Sequence, residues 1–206
     1  MRFFRPGFLA CFYPEAKFRI KTTEKILYLT FDDSPDQEST PFLLEILKEH
    51  GLTALFFCTG RAADKHPELV RQILADGHQT GNHTYNHING WKTDSNKYVN
   101  DVMHALKSLP SGLFRPPFGH LTPLQYRILK RRFLIVFWDI MAYDFDSSFG
   151  PENSLNILKT KIRPGSIIVL HDTPESTVRL FLDEFLTFAA GEGYRFEMIS
   201  TDPPIS

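Results

Sequence analysis

Along nearly the whole chain, short apolar runs rich in β-branched and aromatic residues alternate with amphipathic stretches, and no hairpin-type turn joins two of the runs. That rhythm constrains the fold more than any other feature. Runs at residues 26–31, 53–58, 79–81, 112–115, 133–138, 166–170 and 194–199 read as strands. Between them, residues 39–50, 67–76, 96–109, 122–132, 152–162 and 175–190 carry apolar side chains at helical spacing. Gly51 and Gly77 supply stop signals, and Pro67 and Pro123 sit where a first helical turn tolerates proline. Strands separated by helices have room for crossovers, so the sheet is expected to be parallel. Runs such as 133–138 and 166–170 are apolar throughout, as strands buried on both faces are. The alternation by itself leaves an open doubly wound sheet and a barrel equally available.

With 206 residues and no linker, repeat or low-complexity segment, the chain has room for one domain. The expected division is an N-terminal arm at 1–25 and the α/β domain at 26–206. Lys+Arg 23 against Asp+Glu 24 gives a net charge of −1, which removes any global attraction to nucleic acid. Two cysteines cannot build a disulfide framework or a Cys-rich zinc site, so metal chemistry must fall to the eight histidines and the carboxylates. The arm's apolar runs are broken by Arg5, Pro6 and Pro14, which argues against a secretory core, and nothing approaches the ~20 apolar residues of a membrane span. The arm is therefore expected to pack its aromatics on the domain, with the cytoplasm as the expected location and a monomer as the expected state. An interfacial anchor built from Phe3, Phe4, Phe8 and Phe12, or an exported protein, is the competing reading.

Parallel α/β folds place their sites where strands end and loops lead to helices. Five strand ends here carry the chain's ionisable clusters. They are Asp32-Asp33, His83 to His87, Arg115-Pro116-Pro117-Phe118-Gly119, Asp139 through Asp144, and His171-Asp172. Solvated surface charge would not sort itself this way, so one concave polar site is expected. Each cluster alone has a plain reading: Asp32-Asp33 as a turn before Pro35, the histidines as a surface pair, Arg115 as a surface cation. Together they mean more. Two adjacent carboxylates can divide the work, one binding a cation and one remaining a free base. His83 and His87 at i, i+4 meet if their loop makes a helical turn, and with one carboxylate they form a common catalytic zinc set with a position open for water. Pro-Pro stiffens the loop after Arg115. His171 ends a fully apolar strand, and either Asp144 or Asp139 is placed to set its tautomer. Asp146 and Asp172 read as caps, and His50, His66, His78, His104 and His120 as structural or solvent-facing.

The pattern resembles the polysaccharide deacetylases of carbohydrate esterase family 4, the NodB-homology domain. Thr30-Phe31-Asp32-Asp33-Ser34-Pro35 is similar to the family's T-F-D-D-G-P, His83 to His87 to H-[ST]-x-x-H, and Arg115 to Gly119 to R-P-P-[YF]-G. Trp138-Asp139 through Asp144-Phe145, and Leu170-His171-Asp172, resemble the fourth and fifth motifs. The resemblance implies a distorted (β/α) barrel, usually of seven strands, and a metal-dependent hydrolase that removes N-acetyl groups from a glycan or oligosaccharide and releases acetate. It implies one divalent ion, typically zinc, on Asp33, His83 and His87. Asp32 is implied as general base and His171 as general acid, with Arg115 paired to Asp32 and Asp144 to His171. The backbone N–H of Phe118 is implied as an oxyanion donor, with Pro117, Phe145 and Leu170 completing the pocket.

Two residues depart from the family pattern. Ser34 stands where glycine is usual, which costs on the order of 1 kcal/mol if that position has positive φ. Phe145 replaces tryptophan, keeping an apolar wall but losing an N–H. The alternatives to N-deacetylation are an O-acetyl esterase or small-amide hydrolase on the same fold and, in a different class, a non-catalytic carbohydrate-binding domain.

Overall fold

The computed structural model describes residues 6–200. Phe3 and Phe4 of the proposed anchor lie outside the described residues. The strands are β1 (Ile26–Ser34), β2 (Leu55–Cys58), β3 (Gln79–Asn82), β4 (Leu113–Phe114), β5 (Leu134–Ile135), β6 (Ile140–Met141), β7 (Ser166–His171) and β8 (Arg195–Phe196). The helices are α1 (Ser39–Glu49), α2 (Gly60–Lys65), α3 (Pro67–Ala75), α4 (Ser95–Ala105), α5 (Pro123–Leu129), α6 (Pro151–Lys161) and α7 (Leu182–Gly191). Seven strands run β5-β4-β3-β2-β1-β7-β6, with β8 added beside the start of β1, and the ladders are parallel. The two ends of that path are Ile135 and Ile140. Five residues of chain reach at most about 18 Å, so the sheet must curl until its edges face each other. The result is the distorted (β/α) barrel, with helices outside.

The arm fills the seam between those edges. Lys17 pairs with Val136 in parallel and Arg19 with Ser166 in antiparallel fashion. Lys17 N–H donates to Ile135 O and Phe137 N–H to Lys17 O, each at 2.8 Å. Ile20 N–H reaches Gly165 O at 2.9 Å, and a Cβ at Gly165 would stand 1.8 Å from Ile20 O, so only glycine lets the arm cross there. Two arm aromatics pack inward: Phe18 stacks on Phe137 at 4.5 Å, and buried Tyr13 donates its hydroxyl to Leu121 O. Phe12 points to solvent.

Strand periodicity sorts β1 between two cores. Leu27, Leu29 and Phe31 pack outward against α1 and α7 side chains such as Leu43, Leu47 and Phe185. Ile26 and Tyr28 face the barrel interior with Leu55, Phe57, Val136 and Ile167. Each such apolar side chain contributes about 1.5–3 kcal/mol relative to exposure. Continuing the inward set by twos gives Thr30 and then Asp32. The polar residues of β1 are thus the upper end of the interior file. The same count on β7 sends Ile168 and Leu170 outward and Ile167, Val169 and His171 inward.

Some boundaries differ from the expected ones. Only Leu134 and Ile135 of the 133–138 run form a ladder, because Phe137 and Asp139 bond singly to Lys17 and Ile167 across the seam. The 175–190 helix splits into a 3-10 turn at Thr177–Leu180 and α7, since Phe181 leaves helical conformation at φ −140°. Neither α2 nor two-residue β6 was expected. Thr59, accepting from Ala62 N–H through its side chain, starts α2 without any apolar periodicity to announce it.

Candidate active site

At the end of β1 the ladder with β2 slips between Asp32 and Ser34, and Asp33 takes φ 71°. One extra residue in left-handed conformation is a bulge. Neighbouring strand residues ordinarily face opposite ways, and the bulge re-aims Asp33 so that both carboxylates line one cavity. The strain therefore sits on Asp33 and not on Ser34, which is absent from the positive-φ positions. The serine in place of glycine carries no left-handed penalty.

Asp33 Oδ1 lies 3.0 Å from His87 Nε2 and 3.7 Å from His83 Nε2. The loop that brings these rings together, with centroids 5.1 Å apart, is not the helical turn expected from the spacing. Thr84 at φ 63° and His87 at φ 53° fold it back on itself. Side chains outside the motif hold that shape. Asp101 on α4 accepts from Tyr85 N–H, Asn86 N–H and Asn86 Nδ2, and Asn82 Oδ1 accepts from Thr84 N–H. From α2, Gly60 N–H and Arg61 N–H bond the carbonyls of Thr84 and Tyr85.

His83 Nδ1 is 2.8 Å from Arg115 O. A carbonyl only accepts, so Nδ1 carries the proton and Nε2 offers its lone pair toward Asp33. Burial pushes the His83 pKa down against the pull of Asp32 and Asp33, favouring the neutral ring. Burial alone would raise Asp33, yet His87, His83 and His171 more than offset it, and its carboxyl is held well below the usual range. Asp33 Oδ1 is buried and receives no aligned hydrogen bond. One carboxylate oxygen and two imidazole nitrogens lie within 4.8 Å of one another. A carboxylate oxygen without an aligned hydrogen bond, facing two imidazole nitrogens, is a donor set that fits a zinc-like divalent cation.

Arg115 is wholly buried. Its Nε donates to Val136 O at 3.2 Å and Nη2 to Phe137 O at 3.0 Å. Nη1 reaches both Thr30 Oγ1 and Asp32 Oδ1 at 2.7 Å. The guanidinium lies 4.2 Å above the Phe57 ring. These carbonyls, more than the following prolines, fix the cation and hence Asp32 Oδ1. Burial lowers the Arg115 pKa, with Asp32 opposing it.

On the adjacent strand β7, where His171 stands in register with Asp32, His171 Nδ1 is 3.0 Å from Asp144 Oδ1. Asp144 Oδ2 accepts His171 N–H at 2.8 Å and Ser176 Oγ at 2.7 Å, and Thr177 N–H bonds Asp144 O. Burial pulls the His171 pKa down, but Asp144, with help from Asp32 and Asp33, raises it to about 9. The rival Asp139 is engaged elsewhere: its oxygens bind Arg163 Nη2 at 2.5 Å and Nε at 3.0 Å, and Ser166 Oγ at 2.7 Å. Asp146 caps its own turn through Ser148, and Asp172 accepts from the hydroxyls of Ser39 and Thr40 at the start of α1.

The cavity measures about 400 Å³ and is lined by Asp32, Asp33, His83, His87, Phe118, Trp138, Met141, Phe145 and His171. Two residues expected in the pocket lie elsewhere. Leu170 packs outward in the helix-side core, as the β7 alternation requires, and buried Pro117 is not among the lining residues. Trp138 and Met141 take up the apolar wall beside Phe145, whose ring meets His171 edge-on at 4.9 Å. Phe118 has φ 60° in a tight turn closed by Gly119 N–H to Pro116 O. Sequence reasoning missed Asn82, Asp101 and Ser176, which brace the site from behind. Only their proximity to the motifs, never their spacing, could have pointed to them.

A family profile described as polysaccharide deacetylase matches residues 19–131. A peptidoglycan-N-acetylglucosamine deacetylase of Bacillus cereus is 36% identical over 153 residues, covering 71% of this chain and 55% of that protein. The chain thus spans little more than half the length of that relative. A chitooligosaccharide deacetylase of Azorhizobium caulinodans is 35% identical over 162 residues, covering 75% of this chain and 77% of the relative. Among solved structures, the Bc1960 peptidoglycan N-acetylglucosamine deacetylase in complex with 4-naphthalen-1-yl-N-oxidanyl-benzamide superposes with a TM-score of 0.87 at 30% identity, covering 95% of both chains.

Proposed function

Given that the chain belongs to the polysaccharide deacetylase family, we propose that it hydrolyses the N-acetyl group of a β-linked N-acetylhexosamine chain of the chitooligosaccharide or peptidoglycan type. Asp33, His83 and His87 would hold one divalent ion, with zinc the ion best matched to two imidazoles and a carboxylate. Such an ion supplies Lewis acidity toward the amide carbonyl and makes water more acidic. Asp32 takes the proton of the attacking water at Oδ2, since Oδ1 is committed to Arg115. The Phe118 N–H donates to the oxyanion, a contribution commonly worth a few kcal/mol. Trp138, Met141 and Phe145 receive the acetyl methyl. His171, protonated through its pairing with Asp144, gives its Nε2 proton to the departing nitrogen as the C–N bond breaks. Acetate and a free amino sugar leave. In this reading residues 26–206 carry the chemistry and the arm completes the barrel wall.

One observation carries the proposal: a carboxylate with one oxygen uncommitted and a histidine paired with buried Asp144 line the same cavity as the Asp-His-His cluster. Base, acid and cation site are thus in reach of one carbonyl. The test is acetate release from chitooligosaccharides with and without a chelator, paired with elemental analysis of the purified protein. Turnover that is lost on chelation and restored by zinc is expected. Turnover indifferent to chelation would overturn the scheme, and acetate released only from acetylated xylan would transfer the activity to ester bonds.

A further inference from the structure

Beside the cavity stands a second aromatic feature that the proposed chemistry does not use. Trp91 is 61% exposed, yet it is held rigidly. Its indole Nε1–H donates to Leu121 O at 3.2 Å, and one face stacks on His120 at 3.8 Å and 11°. Its turn is fixed as firmly: Asn89 Oδ1 accepts Trp91 N–H, and Gln125 Nε2 donates to Gly90 O at 2.9 Å. A Cβ at Gly90 would stand 2.2 Å from His120 O, so the turn presses backbone to backbone against the segment after Phe118. Asn89 Nδ2 meets His120 Nδ1 at 2.8 Å, which fixes the ring beneath the indole.

A tryptophan ordinarily hides its area, and one immobilised with a bare face in water marks a contact surface. The feature is also continuous with the cavity. The His87 ring meets Phe118 at 4.7 Å, Phe118 meets His120 at 6.0 Å, and His120 carries Trp91. Phe118 is itself 56% exposed and lines the cavity. A series of ring contacts therefore links the candidate metal ligand His87 to Trp91 through Phe118 and His120. The flat C–H face of a pyranose is apolar, and its ring hydroxyls point outward at the rim, so a rigid indole face suits it.

We propose that Trp91, seated on His120, is a glycan-binding subsite that stacks a sugar ring of the same chain whose N-acetyl group occupies the cavity. This inference rests on the deacetylase reading. It makes the enzyme favour oligomers over single sugars.

The chain has two tryptophans, Trp91 and Trp138, one on the platform and one in the cavity. Their indole N–H signals in a 15N-labelled protein, assigned with Trp91→Phe, therefore report the two places separately. Titration with chitopentaose is expected to move both signals, and N-acetylglucosamine that of Trp138 alone. Chitopentaose moving only the Trp138 signal would overturn the subsite and leave the deacetylase reading standing. Neither signal moving, with no acetate released, would overturn both. In kinetics, Trp91→Ala is expected to lower kcat/KM on chitopentaose about ten-fold, through KM, and on chitobiose less than two-fold, with Trp91→Phe recovering most of the loss. Equal losses on both substrates would also overturn the proposal.

Discussion

Two buried carboxylates, Asp32 on the cavity wall and Asp144 behind His171, each pair with a basic side chain, and the two partners differ in kind. Asp32 pairs with Arg115, whose guanidinium keeps its proton at any accessible pH. Asp144 pairs with His171, whose ring can lose one. Asp32 gives one oxygen to its partner and keeps the other on the cavity side, whereas both Asp144 oxygens are occupied by the His171 ring, the His171 backbone and Ser176. A permanent cation leaves its carboxylate as the group able to accept a proton. A titratable cation becomes the group able to give one. On the proposed function, the same ion-pair chemistry would yield a base on β1 and an acid beside it on β7, the division of roles acid–base hydrolysis requires. A third pair, Asp139–Arg163, serves as an internal control: it has comparable contacts but does not line the cavity.

The comparison breaks most visibly at Asp32. Asp32→Asn removes the free oxygen's basicity and is expected to lower acetate release by about 10²–10⁴-fold while elemental analysis shows the metal retained. A rate within ten-fold of wild type would place the base elsewhere. Next is Asp144→Asn, expected to slow turnover about 10–100-fold and to move the alkaline limb of the pH–rate profile downward. In wild type that limb is expected above neutrality, at or below about pH 9, because a cation on Asp33, His83 and His87 would oppose the pull of the carboxylates. An unmoved limb would detach His171 from the acid role.

The same pairing has a stability signature. A histidine whose folded pKa is raised contributes stability that is complete below its unfolded value of about 6.5 and lost as pH rises through the folded value of about 9. Chelator-treated protein should therefore become easier to denature with urea between those limits, by a few kcal/mol at most. Asp144→Asn should flatten the slope. Smallest is the control: Arg163→Ala strands the buried Asp139 with fewer partners and is expected to cost about 1–2 kcal/mol in urea unfolding, with the pH–rate profile unchanged. A shifted profile there would mean that the seam communicates with the acid.

Much of this arrangement was legible because the strand-end rule and the β period act locally. The strand-end rule led to Asp32 and His171, but alternation along β7 also turns Leu170 outward, away from the pocket in which the family resemblance put it. What stayed illegible depended on partners far away in the chain. The bulge at Asp33 and the left-handed residues of the 83–87 loop are imposed by neighbours such as β2 and Asp101, so spacing alone wrongly called for a helical turn. Asp139 stayed a rival to the favoured Asp144 in the residue pattern, and the partners that occupy it, Arg163 and Ser166, lie more than twenty residues further along the chain. Strand β6 is two residues long and exists only because β7 lies alongside.

Among the described residues, five other than glycine have positive φ: Asp33, Thr84, His87, Phe118 and Tyr143. Three of them line the cavity, Thr84 lies in the histidine loop, and Tyr143 immediately precedes Asp144. Left-handed backbone costs an ordinary side chain on the order of 1–2 kcal/mol. A screen that selects this protein for heat resistance alone would therefore find relief concentrated at and beside the positions proposed to carry its chemistry. Thermal robustness and turnover compete here for the same few peptide units, and variants improved in the first should surface already impaired in the second.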